Sequence, residues 1–199
     1  MEQYEYQEKI KKYLKNETEK KNFKQKLFLQ ELISNSNKAL FRKEKSLDLK
    51  FNYDEAMIGI YFEPSDNSIT IFDNGIGMSK DELTEYVHNY SVKKIENGEI
   101  GLFFLFIIAE KINIISKKLF EDTAYKFTLD SNSFSLAPCI NDEDSGTVIY
   151  IKLKDNFAEE FTNKEKLMEY LKELKKEVNY NLFINYYDED FQEQLEKIN

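Results

Sequence analysis

Two short stretches hold the side chains with the most chemical potential. In "ELISN", Glu31 and Asn35 stand four residues apart, which on a helix puts an acid and an amide one turn from each other on one face. An isolated pair of this kind is ordinarily a solvated one. Here the neighbours Leu32, Ile33 and Ala39 are apolar, so the pair is expected to border a cavity. In "DNGIGM", Asp73 ends the apolar run "SITIF" where the chain loses its bulk. Asn-Gly alone reads as a hairpin turn, but that leaves Gly77 and the apolar Ile76 and Met78 unexplained. Glycines two apart before a helix let a backbone approach a flat ligand closely. A carboxylate at the strand end then accepts a hydrogen bond from an amino group on that ligand.

The elements that position these residues follow from hydrophobic period. "NFKQKLFLQELISNSNKALF" carries Leu29, Leu32, Ile33, Ser36, Ala39 and Leu40 at helical spacing, giving the first core helix. "AMIGIYFE" and "SITIFD" alternate with period two around the turn "PSDN" and predict an antiparallel hairpin. Ser79 and Glu82 form the pattern of a capping box at the start of a short helix, "SKDELTEYVHNY". "LFFLFIIAEK" is read as a helix. "INIISKK", "AYKFTLD" and "GTVIYIKL" are read as strands, and "NKEKLMEYLKELKKEVNYN" as an amphipathic helix with Leu167, Leu171, Leu174 and Val178 on one face. The expected fold class is α+β, a two-layer sandwich of helices on a mostly antiparallel sheet. The expected organisation is a polar extension over residues 1–22, one domain over 23–187, and an acidic tail or start of a linker over 188–199.

Composition narrows the partners. The 199 residues include 37 acidic and 28 basic side chains, for a net charge of -9, so a broad basic face for duplex DNA is not expected. Backbone N–H groups and one or two lysines still suffice for a local phosphate site in an acidic protein. The single cysteine, Cys139, excludes an internal disulfide and multi-cysteine metal centres, and the lone His88 offers no metal cluster. With no long apolar run and no apolar leader after Met1, the protein is expected to be cytoplasmic and not membrane-bound.

"ELISNSNKAL", "DNGIGMSKDEL", "NGEIG" and the strand opening "GT" together resemble, in order and spacing, the GHKL nucleotide-binding ATPases. The resemblance is nearest to the N-terminal ATP-binding domain of the ninety-kilodalton heat-shock chaperones. It implies ATP or ADP as ligand with Mg²⁺, Glu31 as general base on the attacking water, and Asn35 as the residue holding the metal. It implies Asp73 as acceptor of the adenine amino group, Gly75 and Gly77 as the bare backbone admitting the base, Met78 as its apolar wall, and Thr147 as a further adenine contact. Residues from Ser79 to about Gly101 correspond to a lid over the triphosphate. Within it Lys93, Lys94, Gly98 and Gly101 are the implied phosphate contacts. The resemblance further implies slow, Mg²⁺-dependent ATP hydrolysis coupled to a conformational switch. It also implies a following domain or protein partner, and a nucleotide-dependent homodimer in a longer protein.

Three positions depart from the family pattern. Phe103 stands where a third glycine is expected, Lys38 where an acid is, and Tyr86 where an amide is. Phe103, with a glycine run about two residues short before "IIAEK", motivates the alternative expectation, a degenerate nucleotide sensor or protein-interaction module that does not hydrolyse ATP.

Overall fold

Phe28, Leu29, Leu32, Ile33 and Leu40 are all buried on one stripe of the long helix α1, Gln25–Leu47. Their spacing of three, four and seven residues is what an amphipathic helix needs to cover a sheet. Each such side chain contributes about 1.5–3 kcal/mol when fully buried. One polar residue, Ser36, interrupts the buried stripe. The computed structural model of the chain describes residues 25–87, 108–130, 134–155, 164–187 and 193–199.

α1 is followed by the hairpin β1 (Met57–Glu63) and β2 (Ser68–Asp73), turned by a 3-10 segment at Pro64–Asp66 with Asn67 in the left-handed region. Helix α2 is described over residues 80–87. Its capping box forms as the sequence expects: Glu82 N–H donates to Ser79 Oγ at 3.3 Å and Ser79 N–H to Glu82 Oε2 at 2.8 Å. β3 (Ala109–Lys117), β4 (Ala124–Asp130), β5 (Phe134–Cys139) and β6 (Gly146–Leu153) come next, then α3 (Lys164–Lys175), β7 (Asn181–Tyr187) and β8 (Glu193–Ile198). The eight strands form one sheet in the order β5-β4-β3-β6-β2-β1-β7-β8, antiparallel at every step except the parallel pair β1–β7. The α+β class with a mostly antiparallel sheet is the one the sequence indicates.

Several boundaries differ from the sequence reading. Residues 109–111, expected as helix, lie in β3, where Ala109 pairs with Leu153. Residues 102–107 of the same run lie outside the described part. The last helix ends at Lys175, and the chain turns so that Val178 and Tyr180 are buried before β7. Residues 193–198, expected in an acidic tail or linker, form edge strand β8 with Leu182 opposite Ile198. Among the described residues no helix is long and apolar enough to cross a membrane.

Register explains where the site falls. The inward face is built from rows running across the strands. One joins Ile184, Ile60, Ile71, Ile149, Ile114 and Phe127, all buried in the core with the α1 and α3 leucines. Two residues along the strands, the next row begins Leu182–Ile58 and then turns polar: Asp73, Thr147 and Ser116 sit side by side on β2, β6 and β3. All three are buried. A buried polar row is costly unless it is hydrogen-bonded, so this end of the sheet is where a function is to be sought.

Candidate functional site

The polar row is satisfied by its own members together with the loop backbone and Ser36 around it. Ser116 Oγ lies 2.9 Å from Thr147 Oγ1, donates to the Gly146 carbonyl at 3.0 Å, and accepts the Met78 N–H at 2.9 Å. Asp73 is only 8% exposed, and its carboxylate accepts the Gly75 N–H at 3.0 Å and hydrogen bonds from Ser36 and the Thr147 N–H. Burial nevertheless dominates and pushes the Asp73 carboxyl up to about 6, against the lowering from those donors and from Lys43. The carboxylate is thus a desolvated acceptor held in a fixed direction.

The segment after Asp73 is tied from behind at three successive carbonyls by three different elements. Lys43 Nζ of α1 donates to Asn74 O at 2.7 Å, Ser145 Oγ to Gly75 O at 2.8 Å, and the Leu119 N–H to Ile76 O at 2.8 Å. The Ile76 N–H returns to Ala39 O of α1 at 3.1 Å. Asn74 spans the gap to β1, its side chain accepting from Met57 N–H and donating to Glu55 O.

The glycines are required by the protein itself, before any ligand is considered. Gly77 has φ +65°, and a Cβ there would stand 1.8 Å from the Lys117 carbonyl oxygen. Gly146, at φ +141°, would place one 2.2 Å from Asp73 O. Gly75 packs against α1 at Ala39 and is absent from the cavity wall. Close approach accounts for these glycines, and the approaching groups that the structure shows are a neighbouring strand, a loop and a helix.

In front of this platform lies a cavity of about 380 Å³, within the range of about 300–1,000 Å³ common for small-molecule sites. Asn35, Asp73, Gly77, Met78 and Thr147 line it together, although they come from α1, β2, the loop and β6. Ile76, Ile149 and Leu32 supply apolar wall, and Lys38 and Arg42 of α1 add positive charge. Glu31 is one step back: Asn35 Nδ2 donates to Glu31 Oε1 at 3.5 Å and to Tyr86 Oη at 3.4 Å. Glu82 also faces the cavity, but its carboxylate is engaged by Lys118 and by the capping box. Against burial, which opposes it, those hydrogen bonds hold the Glu82 carboxyl below its ordinary value. Lys93, Lys94, Gly98 and Gly101, together with His88 and Phe103, lie outside the described residues.

Among the described residues no group of three or more His, Cys, Asp or Glu could hold a metal. A lone amide oxygen at Asn35 fits only a hard cation that keeps most of its waters and takes its other oxygens from a ligand, which is the habit of Mg²⁺. Sequence reasoning passed over Ser116 and Ser145, which carry the platform's hydrogen bonds. Ser116 had a readable signal, a hydroxyl at the inward position after Ile112 and Ile114 on β3. Ser145 sits in a loop and had none.

Residues 24–149 match the family model of the histidine kinase-, DNA gyrase B-, and HSP90-like ATPase. The chain is similar to the chaperone protein HtpG of Aliarcobacter butzleri (strain RM4018), with 34% identity over 194 residues covering 85% of this chain and 30% of that protein. It is similar to HtpG of Sulfurovum sp. (strain NBC37-1), with 34% identity over 213 residues covering 96% of this chain and 34% of the relative. HtpG of Campylobacter jejuni subsp. jejuni serotype O:2 (strain ATCC 700819 / NCTC 11168) is 30% identical over 183 residues, covering 79% and 29%. The chain therefore spans about a third of the length of these relatives.

Proposed function

The chain belongs to the histidine kinase-, DNA gyrase B-, and HSP90-like ATPase family, and from that premise we propose that it binds ATP and ADP in the cavity beside Asp73 and hydrolyses ATP slowly. The observation that carries this reading is the desolvated Asp73 carboxylate on the wall of a pocket that it shares with the apolar Leu32, Ile76, Met78 and Ile149. It accepts the adenine amino group in a charge-assisted hydrogen bond, stronger than one between neutral groups. Met78 and Ile149 flank the ring, Gly77 gives it room, and Thr147 adds a polar contact at the base edge. Lys38 and Arg42 face the phosphates, with Lys93, Lys94, Gly98 and Gly101 as further phosphate contacts.

Mg²⁺ at the Asn35 amide oxygen would neutralise triphosphate charge and align it. Glu31 takes the proton from a water attacking the γ-phosphorus; the bond from that phosphorus to the β-bridging oxygen breaks, giving ADP and phosphate. In the cell we place this activity in the cytoplasm, as the nucleotide switch of a longer heat-shock-chaperone-like protein that acts with a following domain, a protein partner or a second copy. Phosphate release from ATP by the chain and by Glu31→Ala tests the chemistry. Slow release by the parent, lost in a variant that still binds ADP, is the expected result. Equal release by both overturns it.

A second reading, a nucleotide sensor without turnover, is favoured by Tyr86. Its phenol oxygen reaches the Asn35 amide, on the side where metal and phosphates would meet. Under that reading ADP and ATP bind alike and no phosphate is released.

A further inference from the structure

We propose that Lys43 is a positioning residue for base recognition, gripping the "DNGIGM" loop from the side opposite the nucleotide pocket and keeping the Asp73 carboxyl in its accepting form. This rests on the adenine-binding role proposed above.

The geometry divides the loop's two sides between two cavities. Asp73 and Gly77 line the nucleotide pocket, whereas Lys43 and Asn74 line a second cavity of about 520 Å³ behind the loop. Ser36, Ala39 and Lys43 follow one another at helical spacing on α1 and grip successive parts of the loop. Ser36 donates to Asp73, Ala39 O accepts the Ile76 N–H, and Lys43 Nζ donates to Asn74 O at 2.7 Å. Of these three ties only the last brings a charge. A neutral residue would serve as well if Asn74 O alone mattered. An ammonium adds a field at Asp73, whose carboxyl it lowers against the dominant effect of burial.

The lysine is itself half-buried. Desolvation lowers its pKa, while Asp144, Asp73, Glu143 and Glu55 favour its charged form. Other charged groups on the pocket wall are Lys38 and Arg42 from α1 and Glu82 and Glu85 from α2. Each of Asp73 and Lys43 therefore favours the other's charged form through the loop, beside Asp144 for the lysine and the Ser36 and Gly75 hydrogen bonds for the carboxylate, and of the two only the lysine lines the second cavity.

Three variants separate charge from contact: Lys43→Arg keeps both, Lys43→Gln keeps a donor for Asn74 O without charge, and Lys43→Met removes both. ADP affinity is measured calorimetrically from pH 6 to pH 8.5, and Asp73 is titrated in the free proteins by carboxyl carbon-13 NMR, with thermal melts as the check on folding. Lys43→Gln and Lys43→Met are expected to raise the Asp73 titration and to weaken ADP roughly two- to threefold at pH 6.5, with the loss shrinking by pH 8.5. Lys43→Arg restores the parent profile. An Asp73 titration that stays in place, or an affinity loss equal at every pH, overturns the proposal and leaves Lys43 as a structural staple. A parent chain that binds no ADP at any pH overturns the adenine-binding role as well. Parent binding with an unmoved pH profile overturns Lys43 alone.

Discussion

The two ends of the cavity are built to different standards. At the base end the three loop carbonyls are held at 2.7–2.8 Å by Lys43, Ser145 and Leu119, and Asp73 is fixed by Ser36, Gly75 and Thr147. At the phosphate end Asn35 touches Glu31 and Tyr86 at only 3.5 and 3.4 Å, the outer limit of a hydrogen bond. The base end is preorganised, so affinity there costs little ordering. On the proposed function, these long Asn35 contacts belong to the phosphate end and shorten around a ligand, as catalytic geometry in unliganded proteins commonly does. On the proposed function, recognition and turnover are separable, and mutations should separate them.

The comparison breaks most completely at Gly77. Gly77→Ala drives a methyl into the Lys117 carbonyl at a positive φ, and a loss on the order of 3 kcal/mol or more in urea unfolding is expected, with nucleotide binding abolished. Asp73→Asn should cost about a hundredfold in ADP affinity, since a charged acceptor becomes a neutral one. The same change should not weaken the fold. The Asp73 carboxyl lies at about 6 in the native state against an ordinary 3.8, so the unfolded chain releases its proton first as pH rises. Keeping the buried charge then costs on the order of 3 kcal/mol above about pH 6 and nothing below pH 3.8. Thermal melts of Asp73→Asn should accordingly match or exceed the parent at pH 8, with any gain fading towards pH 4.

Smaller effects sharpen the contrast. Ser116→Ala leaves the Met78 N–H and the Gly146 carbonyl without their hydroxyl partner, and chemical denaturation should register a loss of about 1–3 kcal/mol. Tyr86→Phe removes the hydroxyl that meets Asn35 at 3.4 Å, and calorimetry should find ADP affinity changed by less than about threefold. A large loss there would mean that the phosphate end is as preorganised as the base end.

The same contrast explains what the sequence makes legible. Asp73, Gly77 and Met78 are contiguous, and a strand that ends in a bare loop is a local signal. The polar row they join is not local: Thr147 and Ser116 reach Asp73 only through pairing of β6 with β2 and β3. Edge strands were unreadable for another reason. β8, "EQLEKI", is exposed at every residue except Ile198, so it has no inward face to impose alternation. β5 carries Pro138, which a central strand would not tolerate. β7 did alternate, with Leu182 and Ile184 inward, but its start was absorbed into the helix predicted before it.

Calorimetric titration of the chain and of Asp73→Asn with ADP, with and without Mg²⁺, tests most directly whether the preorganised end is an adenine site. The account predicts binding by the parent, strengthened by Mg²⁺ through the phosphates, and its near loss in Asp73→Asn under both conditions. Equal binding by the two proteins, or none by the parent, would contradict it.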